Sequence, residues 1–189
     1  MQTQSRYHKT KDQLLEENSY VEASKSDPAK FEYLYNKYHE QIFRYVYQRM
    51  DDKDLAFDVT SQVFMKALTN IHKYEFRGVP FASWLYRIAK SEVYQSFKEK
   101  KGKRTVNIET THVHEIIDEM DEEQNEERKR VLIEMIGELP EKDLLIVEMR
   151  YFEKRSYREI GEILDMTENN AKVKAYRILR KLQKQFPTE

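Results

Sequence analysis

The 189-residue chain is 35% charged and 39% hydrophobic, with a formal net charge of −1, four glycines, four prolines and no cysteine. The absence of cysteine excludes disulfides, thiolate zinc sites and cysteine nucleophiles, and the scarcity of glycine and proline argues against an all-β fold with its many turns. Because no stretch approaches the roughly 20 apolar residues of a membrane span and the N-terminus lacks the apolar core of a signal peptide, we expect an all-α, soluble, cytoplasmic protein without membrane insertion.

The N-terminal part of the chain predicts a polar extension followed by a long helix. Residues 1–26 are polar and predict one short helix, around Leu14–Ala23, whose role the sequence leaves open. Asp27-Pro28 suits a helix start, because Asp accepts hydrogen bonds from free amides and Pro fits the first turn. From Phe31 to Met50 apolar residues recur at steps of three and four, which predicts a helix with one buried stripe.

Two further helices complete the expected first domain, residues 27–104. The apolar spacing predicts one helix from about Asp54 to Ile71 and another from about Phe81 to Lys100. Between them, residues 74–80 hold a glycine and a proline and predict a loop. Three helices and one loop predict a compact bundle.

The loop and the start of the third helix mix aromatic and cationic side chains. Aromatic rings stack on unpaired bases while Arg and Lys follow phosphates, so this composition suits single-stranded DNA. Phe81 and Trp84 also have a structural interpretation as core anchors, which we favour for Trp84. The basic run Lys98–Arg104 that ends the domain suits the phosphates of duplex DNA.

The second predicted helix has a mostly polar face away from its apolar stripe. Its residues there are Asp54, Asp58, Ser61, Gln62 and Met65. This face suits docking onto a basic protein surface, and from residue types alone a plain solvent-exposed face explains it equally well.

A polar and then acidic segment, residues 105–127, separates the two predicted domains. It has little periodicity and predicts an extended or partly helical linker. The segment contains the one hint of a metal site, His112, His114, Glu115 and Asp118. Their spacing differs from HExxH, and a solvated linker explains them more simply.

Residues 128–189 predict a second helical domain that ends in a helix-turn-helix. Ser156 and Glu159 have the spacing of a capping box for a helix from Tyr157 to Leu164, and Thr167 caps the last helix after a short turn. At 100° per residue, the last helix has one apolar stripe and, opposite it, a basic arc that suits a major groove. The alternative is a basic amphipathic helix that merely ends a bundle. The predicted core stripe is Ala171, Ala175, Ile178 and Leu182.

Together, three runs of the chain resemble bacterial σ factors of the σ70 family, in the extracytoplasmic-function (ECF) group. The runs are KDLAFDVTSQVF, FRGVPFASWLYRIAK and ELPEKDLLIVEMRYFEKRSYREIGEILDMTENNAKVKAYRILRKL. The resemblance implies a σ2-like domain at 27–104 and a σ4-like domain at 128–189. It implies a non-enzymatic subunit, without cofactor or metal, that binds core RNA polymerase at the β′ clamp helices and β flap, recognises promoter DNA and promotes its melting. It also admits an anti-σ factor as a partner.

The resemblance assigns three groups of residues. The resemblance implies that the loop Phe76–Phe81 pockets a base flipped from the −10 element, and that Trp84, Tyr86, Arg87 and Lys90 support or line that site. The −10 group is Phe76, Arg77, Phe81, Trp84, Tyr86, Arg87, Lys90 and Ser91. The −35 group is Arg150, Thr167, Glu168, Asn169, Lys172, Val173, Tyr176 and Arg177. The polymerase-docking group is the polar face of the second helix, to which the resemblance adds Ala56, Val59, Val63 and Phe64.

The chain departs from the family pattern at several positions. Ser61 stands where the docking helix commonly has Gln, and Asn170-Ala171 stands where the family has a Thr-Val pair. Ser91 stands where the family usually has Asn, Gln95 where it often has Asp, and Asp165 where the turn often has Gly. These departures predict a promoter set of its own.

Two other functional classes remain open from the residues. A conventional helix-turn-helix regulator would bind duplex operators without polymerase and would use the first domain as a sensor or dimerisation unit. A recombinase or nuclease with a helix-turn-helix tail would need a nucleophile or a carboxylate-metal site.

Overall fold

All regular structure that the computed structural model describes is helical. It describes residues 9–50, 52–100, 110–120 and 126–185. The chain divides into two compact units, Met1–Asn107 and Ile108–Glu189. The predicted fold class, all-α with two small helical domains, is confirmed. None of the described helices is both long enough and apolar enough to cross a membrane.

Among its described residues, the first unit has four α-helices. They are α1 (Lys11–Ser26), α2 (Phe31–Met50), α3 (Lys53–Thr69) and α4 (Phe81–Lys100), with 3-10 turns at Pro28–Lys30 and Ile71–Lys73. Helices α2, α3 and α4 pack against one another, as expected of a bundle. The predicted stripe of α2 is buried except at Tyr35, which is 39% exposed.

Local capping explains where the helices of this bundle begin. The Asp52 side chain accepts from the Leu55 amide at 2.9 Å and starts α3, while Asp27 accepts from the Ala29 amide at 3.0 Å. Because an Asp side chain satisfies amides that lack an intrahelical partner, both positions favour a helix start. Asp27-Pro28 begins a 3-10 turn, and α2 follows directly from it.

Helix α1 packs into the first unit, so residues 11–26 do not form a separate extension. It contacts α2, α4 and the second 3-10 turn, and Glu17, Val21 and Ser24 are buried. Two of these three residues are polar, so the hydrophobic pattern did not predict their burial. Residues 1–8 lie outside the described part of the chain.

The described part of the second unit contains five α-helices. They are α5 (Thr110–Glu119), α6 (Glu126–Gly137), α7 (Glu141–Val147), α8 (Tyr157–Leu164) and α9 (Glu168–Gln185). A π-helical segment, Glu148–Phe152, extends α7. Its wider turn shows in the bond from the Glu153 amide to the Glu148 carbonyl at 2.9 Å, five residues apart.

Helix α5 belongs to the second unit, whereas the sequence predicted a linker over residues 105–127. Val113, Ile116 and Ile117 are fully buried, and α5 packs against α6 and the π-helical segment. The Tyr151 hydroxyl donates to the Glu119 carboxylate at 2.8 Å, and burial raises the pKa of Tyr151 so that it stays protonated. The apolar residues of α5 have helical spacing, but the helix is only about three turns long and lies within an acidic segment. This is why the sequence predicted a linker.

Candidate nucleic-acid interface

Helix α9 separates a buried stripe from an exposed face. Ala171, Ala175, Ile178 and Leu182 are buried as predicted, and Leu179 joins them. On the exposed side, Val173 is 37% and Tyr176 50% accessible. Seven of the eight residues of the −35 group are exposed on α9 or directly before it. They are Thr167, Glu168, Asn169, Lys172, Val173, Tyr176 and Arg177.

The helix-turn-helix is fixed by caps at both of its helices. The Ser156 hydroxyl accepts from the Glu159 amide at 3.2 Å, and the Ser156 amide donates to the Glu159 carboxylate at 2.9 Å, which completes the predicted capping box. The Thr167 hydroxyl accepts from the Asn170 amide at 3.2 Å at the start of α9. These bonds define where each helix starts.

A close approach at Gly161 sets the distance between α8 and the turn. A β-carbon there would lie 2.6 Å from the Met166 carbonyl oxygen and 3.3 Å from the Glu168 amide. A larger residue would therefore push the start of α9 away from α8. Gly161 was not among the residues predicted from the sequence, although a lone glycine between two helix caps is a signal for close backbone packing.

Arg150, the eighth residue of the −35 group, lies on the π-helical segment and is half-buried. Its guanidinium carbon is 4.6 Å from the centre of the Tyr157 ring, and it donates to the Arg155 carbonyl at 3.4 Å. Burial raises the pKa of Tyr157, and the charge of Arg150 opposes that shift. The Tyr157 ring and the Arg155 carbonyl therefore fix the orientation of the Arg150 side chain.

The −10 group divides into buried and accessible residues. Phe81 is 1% exposed and Tyr86 is fully buried. The Phe81 ring packs edge-on against Phe31, and the Tyr86 hydroxyl accepts from Gln41 at 2.7 Å. The expectation that Phe81 forms part of a base pocket is therefore wrong. Phe81 is a core residue that supports the site, because the first turn of α4 enters the bundle core. Tyr86 supports the site from inside in the same way.

The other residues of the −10 group reach the surface to different degrees. Arg77 is exposed and lies 3.9 Å from Glu75, and the loop turns at Gly78, whose φ is 71°. Arg87 and Ser91 are also exposed, and the half-buried members are Phe76, Trp84 and Lys90.

A cavity of about 440 Å³ between α3 and α4 gathers part of this group. Its volume lies within the range of small-ligand pockets, about 300 to 1,000 Å³. Trp84 lines it while packing on Tyr74, with ring centres 5.4 Å apart, so Trp84 is both a core residue and a wall. The other lining residues are Lys66, Asn70, Lys73, Arg87, Ile88, Ser91 and Glu92.

Five of the lining residues were not predicted as site residues: Lys66, Asn70, Lys73, Ile88 and Glu92. Lys66, Asn70 and Lys73 follow each other at steps of four and three, the spacing of one helical face. Lys66 donates to the Glu92 carboxylate at 2.7 Å, and Lys73 donates to the Asn70 side chain at 2.9 Å. With Arg87, the cavity wall has three cations and one carboxylate, which favours an anionic ligand.

The five predicted docking residues on α3, from Asp54 to Met65, are all exposed. Met65 is 68% accessible, and Phe57 on the same helix is 42% accessible and stacks on Phe43. An exposed face with two large apolar side chains among carboxylates differs from a plain solvated face. The residues that the resemblance added are buried in the bundle instead, because they form its apolar stripe. These are Ala56, Val59, Val63 and Phe64.

Two expectations fall partly outside the described residues. Of the basic run, the side chain of Lys98 is described and exposed, whereas residues 101–104 lie outside the description. Within the described part of the chain no three His, Asp or Glu side chains are grouped as a metal site would require. Glu115 forms an ion pair with Lys154, and the side chain of His112 is not among those described.

Two family models match the chain, one in each unit. Sigma-70 region 2 matches residues 34–103, and Sigma-70, region 4 matches residues 129–182. The first model covers α2, α3 and α4, and the second covers the helix-turn-helix. The match does not favour a conventional helix-turn-helix regulator, and σ factors are not enzymes.

The chain is also similar to curated σ factors and to one solved structure. It is 26% identical over 163 residues to the ECF RNA polymerase sigma factor BldN of Streptomyces coelicolor, covering 82% of this chain and 60% of BldN, which is less than two thirds of that relative. It is 25% identical to the ECF RNA polymerase sigma factor SigM of Bacillus subtilis, covering 79% of this chain and 91% of SigM. The structure of an RsbN–BldN complex matches with 22% identity and a TM-score of 0.38, over 87% of this chain and 97% of that one.

The two units match region 2 and region 4 of one family, in the order that the sequence runs predicted. Both relatives, from two organisms, are described as ECF RNA polymerase sigma factors. The chain therefore belongs to the σ70 family, as a σ factor of the ECF group.

Proposed function

We propose that this σ factor reads the −35 duplex with the exposed face of α9 and holds an unpaired −10 base at the loop and cavity of the first unit. Core RNA polymerase and promoter DNA are its partners, and α3 is the surface that docks on the polymerase. The proposal rests on the presence of two dissimilar surfaces, one in each unit. One is a convex cationic helix face, and the other is a concave site with cationic and aromatic walls.

The exposed face of α9 has the chemistry for duplex DNA. Arg177 and Lys172 suit guanine edges or phosphates, and the Val173 and Tyr176 side chains suit thymine methyls. Since Gly161 lets α8 approach the turn closely, the two helices form a rigid unit that inserts one helix in the groove. Arg150 is held beside Tyr157 and suits a backbone phosphate.

The first unit has the chemistry for an unpaired base. Flipping a base out of a duplex costs a few kcal/mol, and stacking on an aromatic side chain returns about 1 to 3 kcal/mol. One captured base therefore roughly offsets its own cost, and contacts with polymerase supply the remainder. Trp84 offers a ring at the cavity wall, with Lys73 and Arg87 near enough to line the same cavity for phosphates.

The docking face of α3 suits a basic and partly apolar partner. Asp54 and Asp58 are exposed carboxylates, and Phe57 and Met65 are exposed apolar side chains. We assign this face to the β′ clamp helices and expect the second unit to meet the β flap. An anti-σ factor that covers either unit stays a prediction.

The near-neutral net charge limits DNA binding by the free chain. With a net charge of −1, the chain lacks the excess of cations that drives non-specific affinity. We therefore expect productive binding only on the polymerase, in the cytoplasm where polymerase and DNA meet, with no chemistry by the chain itself.

Transcription with purified components tests the proposal. Core polymerase from the host is mixed with the full chain and host genomic DNA, and transcript ends locate the promoters. On a promoter found in this way, Phe76→Ala should lower open complexes seen by permanganate footprinting about 5- to 150-fold, the equivalent of one lost stack. Leu15→Ala, which also truncates an accessible apolar side chain of the first unit, should leave them unchanged. Absence of any stimulated transcript would overturn the proposal.

A further inference from the structure

Helix α1 holds both ends of the loop that precedes α4. At one end, the Lys25 ammonium donates to the Tyr74 carbonyl at 3.1 Å. At the other, the Phe81 amide donates to the Glu17 carboxylate at 2.7 Å. Between these contacts lie only residues 75–80, which include the loop phenylalanine and arginine of the −10 group.

Helix α4 depends on α1 for an acceptor at its N-terminus. The residue before Phe81 is Pro80, whose side chain has no oxygen to cap the helix. The first amides of a helix have no intrahelical acceptor, and a negative charge near them is favourable. Glu17 supplies both the acceptor and the charge, from a helix 64 residues earlier in the chain.

The Glu17 carboxylate is itself held firmly in place. It is 2% exposed and receives Lys9 at 2.5 Å and Lys37 at 3.0 Å, together with the Tyr38 hydroxyl. Burial raises the pKa of Glu17, but the hydrogen bond and charge of Lys9, with the bonds from Tyr38 and the Phe81 amide, outweigh burial and lower the pKa. The group is therefore ionised at neutral pH, and its position is set by two other elements.

We propose that Glu17 is a positioning residue for capture of the −10 base, and that α1 fixes the loop 75–80 before DNA arrives. Because a loop that is already ordered loses less conformational entropy on binding, this arrangement raises affinity for the unpaired base without touching it. Lys25 supports the same loop from its other end. The inference rests on the proposed role of the loop in promoter opening.

The first test measures the loop in the full chain without polymerase. Glu17→Gln keeps an oxygen at this position but removes the charge. Amide hydrogen exchange should become at least tenfold faster at 75–79 and in the first turn of α4, with the rest of the unit unchanged. The matched control is Glu16→Gln, the same change on an exposed position of α1. Equal exchange in both variants would overturn the positioning role, and so would faster exchange throughout the unit.

The second test measures promoter opening by the holoenzyme on a promoter that the wild-type chain opens. Glu17→Gln should lower open complexes about tenfold, the effect of one charge-assisted hydrogen bond, while affinity for core polymerase stays at the wild-type value. Lys25→Ala keeps Glu17 intact and should lower opening in the same direction by less. If wild-type holoenzyme opens no promoter, the proposed function fails. If wild type opens promoters and Glu17→Gln equals Glu16→Gln, the positioning role alone fails.

Discussion

The two candidate DNA surfaces are built in different ways. In the second unit, seven of the eight residues of the −35 group are exposed on α9 or directly before it, and Arg150 is half-buried on the π-helical segment. In the first unit, the −10 group spans a loop and a helix that starts inside the bundle, so Phe81 and Tyr86 are buried while Arg77 and Ser91 are exposed. The period of one helix predicts which side chains of α9 are exposed. It does not predict which residues of the −10 group are exposed.

This difference shows where composition misleads. Aromatic and cationic residues close together in sequence suit single-stranded DNA, but in a bundle the aromatic residues also form the core. Phe81 has four aromatic neighbours and supports the loop from inside. The cationic wall of the cavity comes partly from Lys66 on α3, the helix before the loop, and from Lys73 in the 3-10 turn.

The largest expected effect tests the buried half of the −10 group. Phe81→Ala removes a ring that is 1% exposed, so the free energy of unfolding should fall by about 3 to 5 kcal/mol. Denaturant unfolding of the full chain, followed by tryptophan fluorescence, measures it, because Trp84 packs against Phe81. Phe76→Ala serves as the comparison and should change stability far less. Equal stability of the two variants would mean that Phe81 is not a core residue.

A glycine pair tests the close packing of the helix-turn-helix. Gly161→Ala places a β-carbon 2.6 Å from the Met166 carbonyl, and overpacking of this kind costs about 1 to 3 kcal/mol. Gly137→Ala is the matched control, since nothing lies within 4 Å of its β-carbon. Thermal unfolding should show a loss for the first variant only. If Gly161→Ala left the stability unchanged, the turn would have room for a β-carbon, contrary to the structure.

Substitution on the exposed face of α9 tests the −35 assignment. Arg177→Ala should weaken holoenzyme binding to a −35 duplex by about 1 to 3 kcal/mol, if the arginine contacts a guanine edge, with stability unchanged. Lys181→Ala removes the same charge from an exposed position outside the −35 group and should have a smaller effect. Equal losses at both positions would indicate general electrostatic attraction rather than base recognition.

The smallest effect tests the cap of α8. Ser156→Ala removes the hydroxyl that accepts from the Glu159 amide, and the loss of such a cap costs about 1 kcal/mol. Thermal unfolding of the full chain measures the shift. Ser156→Thr keeps the hydroxyl and should retain most of the stability. If the threonine variant were as unstable as the alanine variant, the hydroxyl would not act as the cap.

Much of the fold could be predicted from helical spacing and caps. Helix α8 has the predicted bounds, and a capping box marks its start. Helices α1 and α5 were underestimated for two physical reasons. Glu17 is a buried charge that only tertiary partners make stable, and α5 is a short amphipathic run within acidic sequence.

The candidate site was predictable where one helix carries all of it. The exposed face of α9 follows from the period alone, and the structure places Lys172 and Arg177 there. The cavity was not predictable, because Lys66 lines it together with Trp84 only through the packing of α3 against α4. The hold of α1 on the loop likewise depends on tertiary contacts.

Site-specific photo-crosslinking in a holoenzyme–promoter complex tests the central claim most directly. A photoreactive phenylalanine analogue replaces Tyr176 in one sample and Phe76 in another, and the cross-linked DNA positions are mapped with and without core polymerase. We predict that position 176 labels the −35 duplex and position 76 labels the −10 strand, each only when core polymerase is present. Labelling of the same DNA segment from both positions, or equal labelling without polymerase, would contradict the division of promoter recognition between the two units.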